Sequence, residues 1–285
     1  MIIFFNEKSE ALAREVAAGL GARLGQIEKK TFPDGELYIR LLTPVKKETV
    51  VVLQTTRTNE DLIELLFTLF TAKHNGASKI LCVVPHLIYQ RQDEAFLPGE
   101  AVSAEVVLDM IRYYVHKIIT INAHFCDCGG PCEFTGIAVK NLDAFPLLGK
   151  HFAGVSDLVI ISPDEGAMQY AHSAAKAVGC HYDHLVKTRI DGETVEMQPK
   201  KLNVSGKNVV ILDDIISTGG TMMKAADMMK KQGAKKVFIG CVHGVFAKGT
   251  DIFKGYDVVC TNSLPGKFSK VSLAPVIVGE LKRHA

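Results

Sequence analysis

The sequence predicts an α/β fold of two similar domains, each a mainly parallel sheet flanked by helices. Three observations carry this. Short apolar, β-branched runs alternate with helical stretches along the chain, which is the pattern of parallel sheets. A strand–loop–helix–strand unit occurs twice, from Val50 to His86 and from Val209 to His243. The second copy holds Asp213-Asp214-Ile215-Ile216-Ser217-Thr218-Gly219-Gly220-Thr221 between its strand and its helix. Open α/β sheets bind ligands at the carboxyl ends of strands.

The elements follow in order. A helix is expected near 8–20. The run Val50-Val51-Val52-Leu53 opens the first repeat, and a helix follows near 60–74. The joint Asn75-Gly76-Ala77-Ser78 supplies a glycine where that helix ends, and Leu81–His86 closes the unit. A helix near 100–114 and a strand at 117–122 complete the first domain. Pro146 and Gly149 are expected to interrupt regular structure, so the boundary falls within Asn141–Phe152. The domains are then 1–143 and 144–285, with the last residues free to pack back on the first. In the second domain a strand at 158–162 and a helix at 166–178 precede the strand Val209–Leu212. A helix from about Met222 to Gln232 follows. Its joint Gln232-Gly233-Ala234 repeats the first one, before Ile239–His243 and a strand at 257–260.

Composition narrows the function classes. The 285 residues are ample for two domains, and 47% apolar with 22% charged residues is the balance of a soluble protein. Net charge is +2 and the basic doublets, such as Lys29-Lys30 and Lys235-Lys236, are scattered, which argues against a nucleic-acid surface. No apolar run approaches the roughly 20 residues of a membrane span. The start Met1-Ile2-Ile3-Phe4-Phe5 is too short for a signal peptide. A cytoplasmic protein without nucleic-acid or membrane partners is expected. Of the seven cysteines, Cys82, Cys180, Cys241 and Cys260 lie in or beside apolar runs as core residues. The others form Cys126-x-Cys128-x-x-x-Cys132, just after His124. Three readings stand open for them: a soft-metal or redox site, a reversible disulfide, or free thiols in a packed loop. The spacing is not a standard zinc pattern, which favours free thiols.

The segment Asp213–Thr221 has a definite chemistry. Ser217, Thr218 and Thr221 offer hydroxyls, and Gly219 and Gly220 let backbone N–H groups close on a phosphate. Carboxylates repel phosphate, so Asp213 and Asp214 must serve hydroxyls, to which they are acceptors only. The segment is built for a sugar phosphate. The corresponding loop of the first copy, Gln54-Thr55-Thr56-Arg57-Thr58-Asn59, lacks the acid pair and the double glycine. No G-x-x-x-x-G-K-[ST] loop occurs, so any ATP is held by other residues. Phe32-Pro33-Asp34-Gly35-Glu36 is a turn between extended segments, and Arg91-Gln92-Asp93 follows a strand. His124 stands beyond another strand end. Lys187 and Arg189 lie two apart, so in an extended segment both cations serve one side, with an Asp191-Gly192 turn next.

The Asp213–Thr221 segment resembles the phosphoribosyl-pyrophosphate motif of type I phosphoribosyltransferases and ribose-phosphate pyrophosphokinases. Phe-x-Asp-Gly-Glu, Arg-Gln-Asp, a lone His after a strand, Ser-Pro-Asp, Lys-x-Arg and the acid-pair loop occur in one order. That order is similar to the ribose-phosphate pyrophosphokinases along essentially the whole chain, in their archaeal form. The resemblance implies two phosphoribosyltransferase type I-like domains. It also implies pyrophosphoryl transfer from MgATP to the 1-hydroxyl of ribose 5-phosphate, as a step of nucleotide biosynthesis. Asp34, Gly35 and Glu36 would contact adenine, often from a neighbouring subunit, so at least a homodimer is implied. Arg91, Gln92 and Asp93 would line the rest of the ATP site. His124 and Asp164 would be the Mg²⁺-linked residues. Lys187, Arg189 and His124 would be catalytic. Arg189, Asp213, Asp214, Ser217, Thr218, Gly219, Gly220 and Thr221 would hold ribose 5-phosphate. Mg²⁺ prefers oxygen, so His124 is expected as a site residue more than as a direct ligand. The alternatives are a phosphoribosyltransferase and a non-catalytic regulatory relative.

Overall fold

A computed structural model describes residues 1–127, 129–189, 195–198 and 202–284, with the backbone alone for 186–189 and 195–198. The chain forms two compact units. The first is Met1–Asp143 with Ser263–Pro265 and Leu273–Ala285, and the second is Ala144–Asn262 with Gly266–Ser272.

The first unit runs β1 (Ile2–Phe5), α1 (Glu10–Leu20), β2 (Arg23–Leu24), β3 (Ile27–Thr31), β4 (Leu37–Leu41) and β5 (Thr49–Leu53). It continues with α2 (Asn59–His74), β6 (Lys79–Val84), α3 (Ser103–Arg112), β7 (Lys117–Ile121), β8 (Gly130–Phe134) and β9 (Ile137–Leu142). Its main sheet has the order β2-β1-β5-β6-β7-β9-β8, while β3 and β4 pair separately as an antiparallel hairpin. Val50, Val51, Val52 and Leu53 are all fully buried, so β5 is covered on both faces. That is why its sequence reads as an unbroken apolar run. Strand β8 carries no such run, with Gly130, Pro131 and Glu133 in it, and it sits antiparallel at the sheet edge where proline is tolerated.

The second unit runs α4 (Phe145–His151), β10 (Leu158–Ser162), α5 (Met168–Val178), β11 (His181–His184), β12 (Val186–Arg189) and β13 (Val195–Gln198). Then come β14 (Asn208–Ile216), α6 (Gly220–Lys231), β15 (Lys236–Gly244), β16 (Asp257–Thr261) and β17 (Ser269–Val271). Its sheet has the order β11-β10-β14-β15-β16-β17 and is parallel throughout. The two sheets share a plan. In each, the first strand lies between a short second strand and the strand of the repeat, and an antiparallel hairpin (β3–β4 or β12–β13) separates those two in sequence.

The last helix, α7 (Ala274–Leu281), belongs to the first unit, where it packs on α1. Its Ile277 and Leu281 are buried, and its buried Glu280 is paired with Lys117 at 2.6 Å.

Two expectations are corrected. Pro146 and Gly149 do not interrupt structure, because both lie inside α4. Pro146 occupies the first turn, where no backbone N–H is needed. At Gly149 a Cβ would come within 2.3 Å of the Ala174 carbonyl oxygen, so the glycine is what lets α4 lie against α5. The acid pair is also not in a loop. Strand β14 continues through Asp213 and Asp214 to Ile216, paired Asp213↔Cys241 and Ile215↔His243 with β15. Polar residues extend the strand because its neighbour supplies the ladder. The loop shrinks to Ser217, Thr218 and Gly219, and α6 starts at Gly220 rather than Met222.

Candidate active site

In the second unit the segment that the sequence marks for a phosphate lies at the amino end of α6. The helix cap is Gly219, with φ 90°, and a Cβ there would lie 2.5 Å from the Phe253 ring. Glycine is required twice over, for the left-handed backbone and for the ring behind it. A glycine cap has no side chain to accept the first N–H groups of the helix. Those groups and the positive end of the helix dipole are left for an anion. The Ser217 carbonyl accepts the Ala247 N–H at 2.8 Å, which fastens the loop from behind. Thr218 is exposed, and Ser217, Gly220 and Thr221 are half-buried.

Three carboxylates gather at the carboxyl ends of adjacent strands β10 and β14. Asp214 is buried, and its Oδ1 accepts the Ile215 N–H at 2.6 Å. Asp213 Oδ1 accepts the Asp214 N–H at 2.9 Å. Asp164 follows β10, and its Oδ1 accepts the Ala167 N–H at 3.1 Å. Burial, then the charges of Asp214 and Asp164, push the Asp213 carboxyl well above its ordinary range. Such crowding is relieved by hydroxyl donors or by a cation. Among the described residues no three His, Cys, Asp or Glu side chains form a metal cage. Mg²⁺ does not require one, since it keeps several waters and binds one or two carboxylates plus substrate phosphates. A single carboxylate such as Asp164 fits that donor set.

Lys187 and Arg189 lie on β12, which pairs antiparallel with β13 in the register Lys187↔Met197 and Arg189↔Val195. Their side chains, and the turn residues Asp191 and Gly192, lie outside the described residues.

The remaining predicted residues are in the first unit. Asp34, Gly35 and Glu36 are exposed at the tip of the β3–β4 hairpin. The tip is closed by the Phe32 N–H on the Glu36 carbonyl at 2.8 Å and the Glu36 N–H on Asp34 Oδ1 at 3.2 Å. Phe32 stands 46% exposed beside it. Lys29 on β3 pairs with Glu64 on α2 at 2.7 Å and anchors the hairpin to the unit. Arg91 is exposed, Gln92 and Asp93 are half-buried, and the Gln92 carbonyl accepts the Ala104 N–H at the start of α3. His124 is exposed three residues beyond β7. Its N–H is held by Gln90 Oε1 at 3.0 Å. Sequence reasoning passed over Gln90 and Phe253, which nothing in their local sequence marks, and Asp61, which the Thr58-x-x-Asp61 capping-box pattern does mark.

The cysteine loop differs from the favoured expectation. Cys126 and Cys132 are joined by a disulfide, so these two are not free thiols. Cys128 lies outside the described residues. The bend after β7 brings the two together, a closure that the spacing alone does not reveal. Cys82, Cys241 and Cys260 are buried as expected, but Cys180 is only half-buried, because it follows α5 at the sheet edge.

Comparison with known proteins agrees along the whole chain. Residues 1–114 match the N-terminal domain of ribose phosphate pyrophosphokinase, and residues 147–274 match the phosphoribosyl transferase domain. Ribose-phosphate pyrophosphokinase 2 of Archaeoglobus fulgidus is 44% identical over 273 residues, covering 94% of this chain and 96% of that protein. The ribose-phosphate pyrophosphokinase of Methanopyrus kandleri is 36% identical over 286 residues, covering 97% of each. The crystal structure of phosphoribosylpyrophosphate synthetase from Mycobacterium smegmatis matches with a TM-score of 0.83 at 26% identity, over 99% of this chain and 98% of that one. The chain belongs to the ribose-phosphate pyrophosphokinase family.

Proposed function

We infer that this protein transfers the pyrophosphoryl group of ATP to ribose 5-phosphate, giving 5-phosphoribosyl 1-pyrophosphate and AMP for nucleotide biosynthesis. The observation that carries the reading is the uncapped amino end of α6 with Asp213 and Asp214 beside it. Phosphate and sugar hydroxyls have separate partners there, in a chain that matches the family end to end.

The ribose 1-hydroxyl oxygen bonds to the β-phosphorus, the bond from that phosphorus to the α,β-bridging oxygen breaks, and AMP departs with the bridging oxygen. The hydroxyl proton leaves to water or to a phosphate oxygen. Ser217, Thr218, Gly219, Gly220 and Thr221 hold the 5-phosphate. Asp213 and Asp214 accept from the 2- and 3-hydroxyls and so fix the ring. Arg91, Gln92 and Asp93, with Asp34, Gly35 and Glu36, hold ATP. Lys187 and Arg189 meet the charge that gathers on the transferred group, and the hairpin that carries them closes over the substrates. Asp164 and His124 would be the Mg²⁺-linked residues, and the ion when bound would supply neutralisation of phosphate charge. A homo-oligomer in the cytoplasm belongs to the same reading. No helix among the described residues is long and apolar enough to cross a membrane.

The test is ³¹P NMR of the protein with Mg²⁺, ATP and ribose 5-phosphate. AMP with a new sugar-linked diphosphate signal is expected. ADP would mean ordinary phosphoryl transfer and overturn the mechanism. No turnover by folded protein would turn attention to phosphoribosyl transfer or a regulatory role. Lys187→Ala is expected to lower kcat by about 100-fold or more while ribose 5-phosphate still binds. Near-normal turnover would remove Lys187 from its role.

A further inference from the structure

Gln90 immediately precedes the Arg91–Asp93 segment, yet it is only 2% exposed, while Tyr89 before it is 41% exposed. The backbone produces this reversal. Tyr89 has φ 68°, a conformation rare for a residue with a bulky side chain. Its hydroxyl donates to Asn59 Oδ1 at 2.5 Å, and its carbonyl accepts the Gln92 N–H at 3.1 Å. The turn so held points Gln90 inward. There Gln90 Oε1 accepts the His124 N–H at 3.0 Å, across 34 residues of sequence. A backbone N–H only donates, so the amide oxygen is the atom that must face it.

His124 follows a second unusual bend, at Asn122 with φ 38°. The Asn122 N–H donates to the Leu142 carbonyl at 3.0 Å, and its side chain donates to Asp143 Oδ1 at 3.2 Å. One buried amide thus ties the bend after β6 to the bend after β7. The amide nitrogen of Gln90 is buried and finds no hydrogen-bond partner among the described residues. An unpaired buried donor is a cost that an apolar residue would avoid. What the amide adds in return is the link to His124.

We propose that Gln90 is a positioning residue. By holding the His124 backbone to the Arg91–Asp93 turn, it sets where the His124 ring meets the phosphates of MgATP. The proposal rests on the MgATP reading of His124 and Arg91. Gln90→Met keeps the length of the side chain but offers no oxygen. Gln90→Glu keeps an oxygen at the same reach.

The experiment measures kcat and both KM values for these variants, alone and with His124→Ala, together with their melting temperatures. Gln90→Met is expected to lower kcat about tenfold, with the KM for ribose 5-phosphate unchanged, and Gln90→Glu to restore most of the loss. In the His124→Ala background Gln90→Met is expected to add no further loss, because the ring that it positions is gone. An equal loss in both backgrounds would make the role merely structural and overturn the proposal, as would wild-type kinetics in Gln90→Met. Should Gln90→Met fail to fold, Gln90→Asn, one methylene short of the N–H, replaces it in the same cycle. Wild-type protein that makes no AMP would sink the functional reading itself, an outcome distinct from additive losses in an active enzyme.

Discussion

The two strand–loop–helix units, β5–α2 and β14–α6, share a scaffold and differ in what fills the amino end of the helix. In the first unit the chain fills it with its own carboxylate. Asp61 is 4% exposed, and its Oδ2 accepts the N–H groups of Arg57 and Thr58 at 2.8 Å each. Thr58 Oγ1 accepts the Asp61 N–H in return, which completes a capping box. Lys8 neutralises the same carboxylate at 2.6 Å. In the second unit the cap is Gly219 and no side chain of its own blocks the helix end. One helix terminus is closed by its own capping box, and the other has a glycine cap with no side-chain hydrogen bond.

Several substitutions would break or sharpen this contrast. The largest effect is expected from Gly219→Ala. It forces a Cβ into the Phe253 ring at a left-handed position, and so displaces the loop proposed to hold the phosphate. A fall in kcat/KM for ribose 5-phosphate of about 100-fold is expected, with a stability loss of about 1–3 kcal/mol. Kinetics and thermal melting check both. Unchanged kinetics would mean that the phosphate sits elsewhere.

Asp61→Ala comes next. It removes the cap and leaves Lys8 unpaired, at about 2–3 kcal/mol of stability. It is not expected to create a sugar-phosphate site, since the loop there lacks an acid pair and a Gly-Gly. Binding of ribose 5-phosphate to the first unit in this variant, measured by calorimetry, would refute the idea that the cap is only part of the difference.

Asp213→Asn acts in the opposite direction. It relieves the repulsion from Asp214 and Asp164, and is expected to raise the stability of the ligand-free protein by about 1 kcal/mol while abolishing ribose 5-phosphate binding. The pH dependences of the two aspartates are opposed in sign. Burial disfavours the Asp61 charge, but Lys8 and the N–H groups of Arg57 and Thr58 outweigh it and hold the carboxyl below its ordinary value of 3.8. Its stabilisation is complete above that value and is lost as pH falls through the lower folded pKa. Asp213 is raised above 3.8 in the folded state, so its proton favours folding. Stability is lost as pH rises from 3.8 through the raised folded pKa. Melting curves of wild type and each variant across that range separate the two slopes.

Gly220→Ala is expected to be the mildest. Its Cβ would meet nothing within 4 Å, so stability changes by less than about 1 kcal/mol. A large loss of stability would mean that the first turn of α6 is packed more closely than this.

The hairpins show the likeness of the two units instead. Phe32–Glu36 closes β3–β4 around Asp34-Gly35-Glu36, and Asp191-Gly192-Glu193 stands in sequence between β12 and β13. The same tripeptide in the same topological place extends the duplication beyond the repeated strand–loop–helix. The sequence shows them as turns, and the shared strand order shows them as counterparts.

By itself the sequence determined the α/β class, the strands β5, β6, β7, β10, β14, β15 and β16, the helices α1, α2, α3, α5 and α6, and the duplicated plan. These rest on local pattern: apolar runs and glycine at helix ends. The tertiary structure decided the rest, because it depends on partners distant in sequence. Strand β14 runs on through Asp213 and Asp214 because β15 pairs with it. Gly149 stays inside a helix because α5 lies against it. Gly219 is required partly by Phe253, and His124 is held by Gln90 across 34 residues. Cys126 reaches Cys132 because the chain bends after β7. Residue type is written in the chain, but which atoms meet is settled only when burial brings separate segments together and each buried polar group has to find a partner.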